Sequence, residues 1–343
     1  MTDRAGAVVE RAGTGRLKAA WTLVLLAPIC AEATFTGISL PAIWLAFPLL
    51  VPIYGGGVLL ARELVVRTGA KWPALLVLGL AYELAEDGLG LQALTSPHLY
   101  TAASWGRVFG FNLTYWESQL GYHLVFTVLI PVTLTGLLFK RHAGRPYLGR
   151  FGLIGTAVVF VIGVALARLA IATTEDPGYT TPWPVVAALL VIIVLLGILA
   201  LLVLPRLRIP RPAPVARLPH PAALGALAAL APIVFLGLLF PLKSSAGHPA
   251  IGHGAWLAIP QLVALAVAIA AGWLVARWSA TGTFTDHHRI WLIGGALVGH
   301  SLFAVASGIS NGHVVLAPVL GVVVIGVTVL LLALLDRRLG RAR

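Results

Sequence analysis

The sequence predicts an all-α, polytopic membrane protein: a bundle of about ten spanning helices with both termini in the cytoplasm. Three observations carry this. Of the 343 residues, 59% are hydrophobic and only 10% are charged, against about 25% charged in soluble domains. A soluble chain of this size could not cover its wetted surface with so few charges. Apolar runs of roughly 20 residues recur along the chain, the length that crosses a bilayer as a helix. The basic residues fall in short clusters between those runs, on every second side.

The runs place spans at about 19–38, 41–62, 73–93, 113–139, 151–173, 183–204, 221–241, 255–277, 289–308 and 314–335. The third is the least hydrophobic, because Glu83, Glu86 and Asp87 lie in it; the sixth, from Val185 to Leu204, has no polar side chain. The first follows Arg4, Arg11, Arg16 and Lys18 and ends near Ala31-Glu32-Ala33, so it reads as an uncleaved span or, alternatively, as a signal peptide. Cys30 is the single cysteine, which excludes an intramolecular disulfide, and Ile29 before it argues against a lipoprotein box.

Orientation follows from the lysines and arginines. Four lie before the first span. The next clusters are Arg62, Arg67 and Lys71; Lys140, Arg141, Arg145 and Arg150; Arg206, Arg208, Arg211 and Arg217; Arg277 and Arg289; and Arg337, Arg338, Arg341 and Arg343. Of 24 basic residues, only Arg107, Lys243 and Arg168 fall outside this alternation. The positive-inside rule then puts both termini in the cytoplasm, and a missed or extra span would break the pattern. The net charge of +12 is therefore topology information, not a nucleic-acid footprint, and the partner it implies is the bilayer. The chain divides into a basic N-terminus (1–18), a six-span half (19–204), a basic Pro-rich loop (205–220), a four-span half (221–335) and a basic tail (336–343). No internal repeat is evident.

Charged residues at the bilayer centre cost roughly 2.5–3.5 kcal/mol each on the insertion scale and persist mainly where they face a bundle interior or a wet cavity. The candidates are Glu32, Glu83, Glu86, Asp87, Glu117, His123, Arg168 and His300. Glu83, Glu86 and Asp87 are spaced i, i+3, i+4 and share a helix face. Three carboxylates together need protons, a cation or a basic partner, and an ion pair with Arg168 is one way to provide it. His300 lies beside Ser301 and near Gly295-x-x-x-Gly299, a helix-packing spacing that favours a structural role. His98, His248, His253 and His313 fall in outer loops without the spacing of a metal motif. Tyr54-Gly55-Gly56-Gly57 lies within the second span, between Pro48/Pro52 and Arg62-Glu63, where glycine permits close approach or unwinding. Arg62, Glu63 and Arg67 read as boundary anchors. Arg62 and Glu63 are adjacent and expected to point apart; Glu63 and Arg67 can pair at i, i+4.

Several of these segments resemble a family of multi-pass bacterial inner-membrane proteins without an established activity. They are Leu26 through Glu32, Tyr54-Gly55-Gly56-Gly57 through Arg67, Lys71-Trp72-Pro73, Gly79 through Leu89, and Trp116-Glu117 through Tyr122-His123. The resemblance covers residues 20–140 and implies a bacterial-type plasma-membrane location. A weaker likeness is to the CPBP intramembrane proteases, which carry paired glutamates followed by an arginine, then Phe-x-x-x-His, then a later histidine. Glu86-Asp87, His123 and His300 match in order; Asp87, Leu91 and Gln119 depart from the pattern.

These readings support three functions. In the first, an intramembrane hydrolase, Glu83, Glu86, Asp87, Glu117 and His123 form the catalytic set. Glu86 activates a water, alone or with a divalent metal such as zinc held by Glu86, His123 and His300. The substrate is then lipid-linked or a membrane peptide, whereas a small-molecule substrate belongs to the transport reading. In the second, a proton- or cation-coupled transporter, Glu32, Glu83, Glu86 and Glu117 load and release protons. The third is a non-catalytic component of a larger complex; no G-x-x-x-x-G-K-[ST] loop is present, so ATP-driven activity needs another chain.

Overall fold

The computed structural model describes residues 2–99, 106–208, 210, 212–240 and 254–341, without the side chains of 2–14, 254 and 255. Lys243, His248 and His253 lie outside the described residues. The described chain is almost wholly helical; its only strands are the two-residue pair Arg107–Val108 and Phe111–Asn112.

Eight helices are long and apolar enough to cross a membrane. They are α2 (Ile43–Arg67), α4 (Leu113–Leu138), α5 (Arg150–Thr174), α6 (Trp183–Arg206), α7 (Pro221–Leu239), α8 (Ala258–Ser279), α9 (Asp286–Ser310) and α10 (Leu316–Arg341). They coincide with eight of the ten expected spans. The expected first and third spans are helical too. Helix α1 (Thr2–Pro28) continues through a π-helical turn at Ile29–Ala33, and α3 (Trp72–Glu83) continues through another at Leu84–Gly90. What sets α1 and α3 apart is their charge: Arg16, Lys18 and Glu32 in one, Glu83, Glu86 and Asp87 in the other.

Helix ends follow local chemistry. Proline opens α3, α6 and α7, where its missing N–H costs no helical hydrogen bond. Thr285 and His288 form a capping box at the start of α9. Pro48 and Pro52 inside α2 interrupt the hydrogen-bond ladder, and a π-helical turn occupies Val51–Gly55.

The chain forms two compact units. Unit 1 comprises Met1–Cys30, Ala46–Gln92 and Tyr122–Arg208; unit 2 comprises Ala31–Leu45, Ala93–Gly121 and Ile209–Arg343. The last boundary falls in the Pro-rich loop. Segments 31–45 and 93–121, from the expected six-span half, belong to unit 2.

In unit 1, small residues let backbones meet. A Cβ on Gly55 would sit 2.4 Å from the Val24 carbonyl oxygen of α1, and one on Gly163 of α5 would sit 2.7 Å from the Ile53 nitrogen. In unit 2, the contact of α7 with α9 is built the same way. A Cβ on Gly295 would lie 2.0 Å from the Gly225 carbonyl oxygen, and one on Gly299 2.0 Å from that of Ala229. The Gly295-x-x-x-Gly299 spacing is thus a helix-packing seam. Beside it His300 is fully buried: Thr34 Oγ1 lies 3.1 Å from its Nδ1, and the Phe35 ring stacks on it at 4.8 Å. Ser301 donates to the Thr34 carbonyl at 2.9 Å. These contacts tie the 31–45 segment to α9.

Replacing Gly299 with Val should lower stability by about 1–3 kcal/mol, the usual cost of overpacking. Unfolding in mixed micelles checks this; unchanged stability would mean that α7 and α9 are not in backbone contact.

Candidate functional site

Two ionic networks lie in unit 1, and they are built differently. The first joins the end of α2 to the loop between α4 and α5. Glu63 is fully buried, with both carboxylate oxygens engaged. Oε1 accepts from Arg62 Nη1 at 2.6 Å and from the Tyr147 backbone N–H at 2.7 Å; Oε2 accepts from the Leu148 N–H at 3.2 Å and from Arg67 Nη2 at 3.4 Å. Arg62 also donates to the Ala143 and His142 carbonyls, and its guanidinium lies 3.4 Å over the Tyr147 ring. Arg67 donates to the Leu148 carbonyl at 2.6 Å. Burial pushes the Tyr147 phenol above its ordinary value, with Arg62 opposing, so the ring stays neutral.

The Glu63–Arg67 pair was legible from spacing. The expectation that Arg62 and Glu63 point apart is corrected: both side chains converge on the 142–148 loop, which supplies carbonyls to one and N–H groups to the other. These residues are more than snorkelling anchors.

The second network lies on π-helical turns of three helices. Tyr54 belongs to the turn in α2, Glu86 and Asp87 to that in α3, and His123 to the turn His123–Leu129 in α4. A π-turn widens the helix by one residue per turn and re-aims side chains, which is why such turns recur at functional sites. Glu83, Glu86, Asp87 and His123 are each at most 2% exposed. His123 Nδ1 lies 3.4 Å from Glu86 Oε2, and its Nε2 lies 3.6 Å from Asp87 Oδ2. Both separations exceed an ordinary direct hydrogen bond. Thr127 Oγ1 is closer, 3.0 Å from Nδ1.

Aromatic rings enclose the imidazole. Tyr122, Tyr82 and Tyr54 stand 5.0, 5.7 and 5.8 Å from it between centroids. The Tyr54 and Tyr82 side chains also lie near Glu86. Gly57 makes room for this arrangement, since a Cβ there would meet the Tyr82 ring at 2.5 Å.

The other expected residues fall elsewhere. Arg168 donates to the Leu89 carbonyl at 2.9 Å and makes no ion pair among the described residues, so the alternative of an ion pair with the α3 carboxylates is not the one the chain adopts. The turn Leu84–Gly90 leaves carbonyls without regular helical partners, and the guanidinium serves one of them. Glu32, Glu117 and His300 belong to unit 2. Glu32 is buried in its own π-helical turn, and Glu117 is half-buried, with no hydrogen-bond partner for Oε1 among the described residues. Arg107, one of the three off-pattern charges, binds the Thr95 and Ser96 carbonyls and Asn112 Oδ1.

Of the expected zinc set, Glu86 and His123 belong to unit 1 and His300 to unit 2. No group of three or more His, Cys, Asp and Glu suited to a metal occurs among the described residues.

Sequence reasoning missed Tyr54, Tyr82, Thr127 and Tyr147 as partners. The i, i+4 spacing of His123 and Thr127 was a usable signal; Tyr147 gave none.

The model of an uncharacterized membrane protein family matches residues 22–307, so the chain belongs to that family. No curated protein and no solved structure matches it. The match extends well beyond the 20–140 segment on which the resemblance rested, whereas the likeness to CPBP proteases rests on the sequence alone.

Glu63→Ala should cost about 3–5 kcal/mol, because it strands a buried guanidinium. Arg67→Ala should cost under about 1 kcal/mol, since Arg67 is part-exposed and its loss leaves Glu63 with three donors. Unfolding of both variants in mixed micelles tests the ranking; equal costs would contradict it.

Proposed function

We propose that this member of an uncharacterized membrane protein family is a proton-coupled transporter, with Glu83, Glu86, Asp87 and His123 as its proton-loading site. One observation carries the reading: a single buried imidazole stands between two buried carboxylates, with a third on the same helix.

The argument is one of charge. Ionising all three carboxylates beside one imidazolium leaves a net negative charge in a medium that solvates charge poorly. Holding protons lowers that charge, and moving them between neighbouring oxygens and nitrogens costs little displacement. Tyr54, Tyr82 and Thr127 add hydroxyls that both donate and accept, as a proton relay requires. The Glu63 network lacks this freedom, because each of its oxygens already has two donors.

The hydrolase alternative uses the same groups, with Glu86 as the base toward a water. Proton storage is the reading we adopt because three buried carboxylates surround a single imidazole, more acids than one base can balance. Transport also accounts for the Pro- and Gly-rich α2, whose interrupted ladder at Val51–Gly55 places a point of bending beside the cluster. In this reading both termini are cytoplasmic and α1 and α3 complete a ten-span chain.

Two measurements test it. Infrared titration of the purified protein over roughly pH 4 to 9 should reveal a titrating buried carboxyl that Glu86→Gln or Asp87→Asn removes; a spectrum identical in wild type and variants overturns the site. Proteoliposomes with a trapped pH dye, screened against amino acids, sugars and organic acids, should move protons with a solute in wild type and not in Glu86→Gln. Vesicles as proton-tight as protein-free ones with every solute overturn the transport reading.

A further inference from the structure

The turn that carries Glu86 and Asp87 ends at a residue of unusual backbone. The Leu91 N–H donates to the Glu86 carbonyl at 2.7 Å, and the next residue, Gln92, takes φ = +59°. Residues other than glycine rarely adopt that conformation, because Cβ then crowds the carbonyl oxygen that follows. Among the described residues, Phe109 is the one other non-glycine residue so placed. Phe109 is exposed in the turn between the two short strands, whereas Gln92 is only 1% exposed.

A strained conformation persists only where its surroundings hold it. Here the Gln92 amide supplies the hold. Its Oε1 accepts from the Thr181 backbone N–H at 2.8 Å and from Thr181 Oγ1 at 3.2 Å, and its Nε2 donates to the Tyr179 carbonyl at 3.3 Å. Tyr179 and Thr181 lie in the loop between α5 and α6, within unit 1. Both of those helices pack against the turn Leu84–Gly90. From α5, Arg168 donates to the Leu89 carbonyl at 2.9 Å, and a Cβ on Gly90 would sit 3.5 Å from the Val164 carbonyl oxygen. One helical hairpin thus engages Leu89, Gly90 and Gln92, at the exit of the turn that bears the carboxylates. The ionisable groups of the hairpin at that end are Arg168, Glu175, Asp176 and Tyr179; α6 has none before Arg206.

We infer that Gln92 is a positioning residue for the proton-loading site. By fastening the end of the turn to the 179–181 loop, it sets where Glu86 and Asp87 stand against His123. This role rests on the proton-loading reading proposed above. The bond from the Leu91 N–H to the Glu86 carbonyl passes a displacement at Gln92 to the backbone of Glu86. The separations of 3.4 and 3.6 Å to the imidazole lie just beyond hydrogen-bond length, so a small movement changes how a proton is shared. The Gln92 side chain carries no charge at any pH. Its replacement therefore removes no charge from the cluster, and an altered titration reports moved carboxylates.

The test is infrared titration of the full-length protein in detergent, following the carboxyl band that Glu86→Gln or Asp87→Asn removes. Gln92→Gly suits the positive φ and deletes the amide. It should move the midpoint of that band by about half a pH unit or more, an about threefold change in proton affinity. Thr181→Val keeps the N–H donor, loses the hydroxyl and should move the midpoint less. Arg67→Ala, which loosens the other network of the unit, should leave it in place. If Gln92→Gly does not fold, Gln92→Asn applies the same test, its amide one methylene short of the loop. A midpoint unchanged in the Gln92 variant overturns the inference and leaves the proton-loading site standing. An equal shift in Arg67→Ala also overturns it, since general loosening would then be the cause. A wild-type spectrum with no band that depends on Glu86 or Asp87 overturns the site and the positioning role together.

Discussion

Lipid offers no hydrogen bonds, so each polar group carried into the bilayer has to find its partners within the protein. The two carboxylate networks of unit 1 meet this constraint in opposite ways. Glu63 receives two guanidinium and two backbone donors, and its charge is fixed in place. Glu86 and Asp87 share one imidazole at 3.4 and 3.6 Å, with tyrosine hydroxyls nearby. A carboxylate with four strong donors gains nothing by taking a proton. One that shares a single base with two neighbours does. This contrast, not burial as such, separates a structural carboxylate from one suited to proton chemistry.

Backbone irregularity follows the same division. Glu32, Tyr54, Glu86, Asp87 and His123 all lie on π-helical turns, while Glu63 sits on regular helix. Regular α-helix holds side chains at fixed angles, whereas an i→i+5 turn shifts them and loosens the ladder. The turn Leu199–Val203 in α6 carries no polar side chain, so such a turn does not by itself make a site. The coincidence of three of them around His123 is what gives the cluster its geometry.

The spans were legible because hydropathy reports the solvent, and here the solvent is lipid. Eight helices match the expected runs within a few residues. The charges that make α1 and α3 poor spans by composition are also the features that drew attention to them. The i, i+3, i+4 spacing of Glu83, Glu86 and Asp87 placed three carboxylates together, and Gly295-x-x-x-Gly299 marked a seam. Partners across helices were not legible. Nothing local says that Arg168 caps Leu89, that Arg62 and Glu63 converge on the 142–148 loop, or that His300 meets Thr34. Each depends on which helix lies next to which, information that a single hydropathy pattern does not hold. The interleaving of 31–45 and 93–121 into unit 2 was hidden for the same reason.

Helix α2 joins the two networks of unit 1. Tyr54 and Glu63 are nine residues apart on it, about 13 Å along a helix. Between them Gly55 and Gly57 pack against α1 and the Tyr82 ring. The far end is locked by Glu63 to a loop it cannot leave without stranding buried charge. The near end contains the π-helical turn and two prolines, and carries Tyr54 into the cluster of Glu86, Asp87 and His123. Any displacement of Tyr54 that accompanies a change of charge at Glu86 must therefore be absorbed at Val51–Gly55, because the Glu63 end is held. A rigid anchor beside a weakened ladder confines movement to one turn of one helix, and that turn carries Tyr54, whose ring stands beside His123.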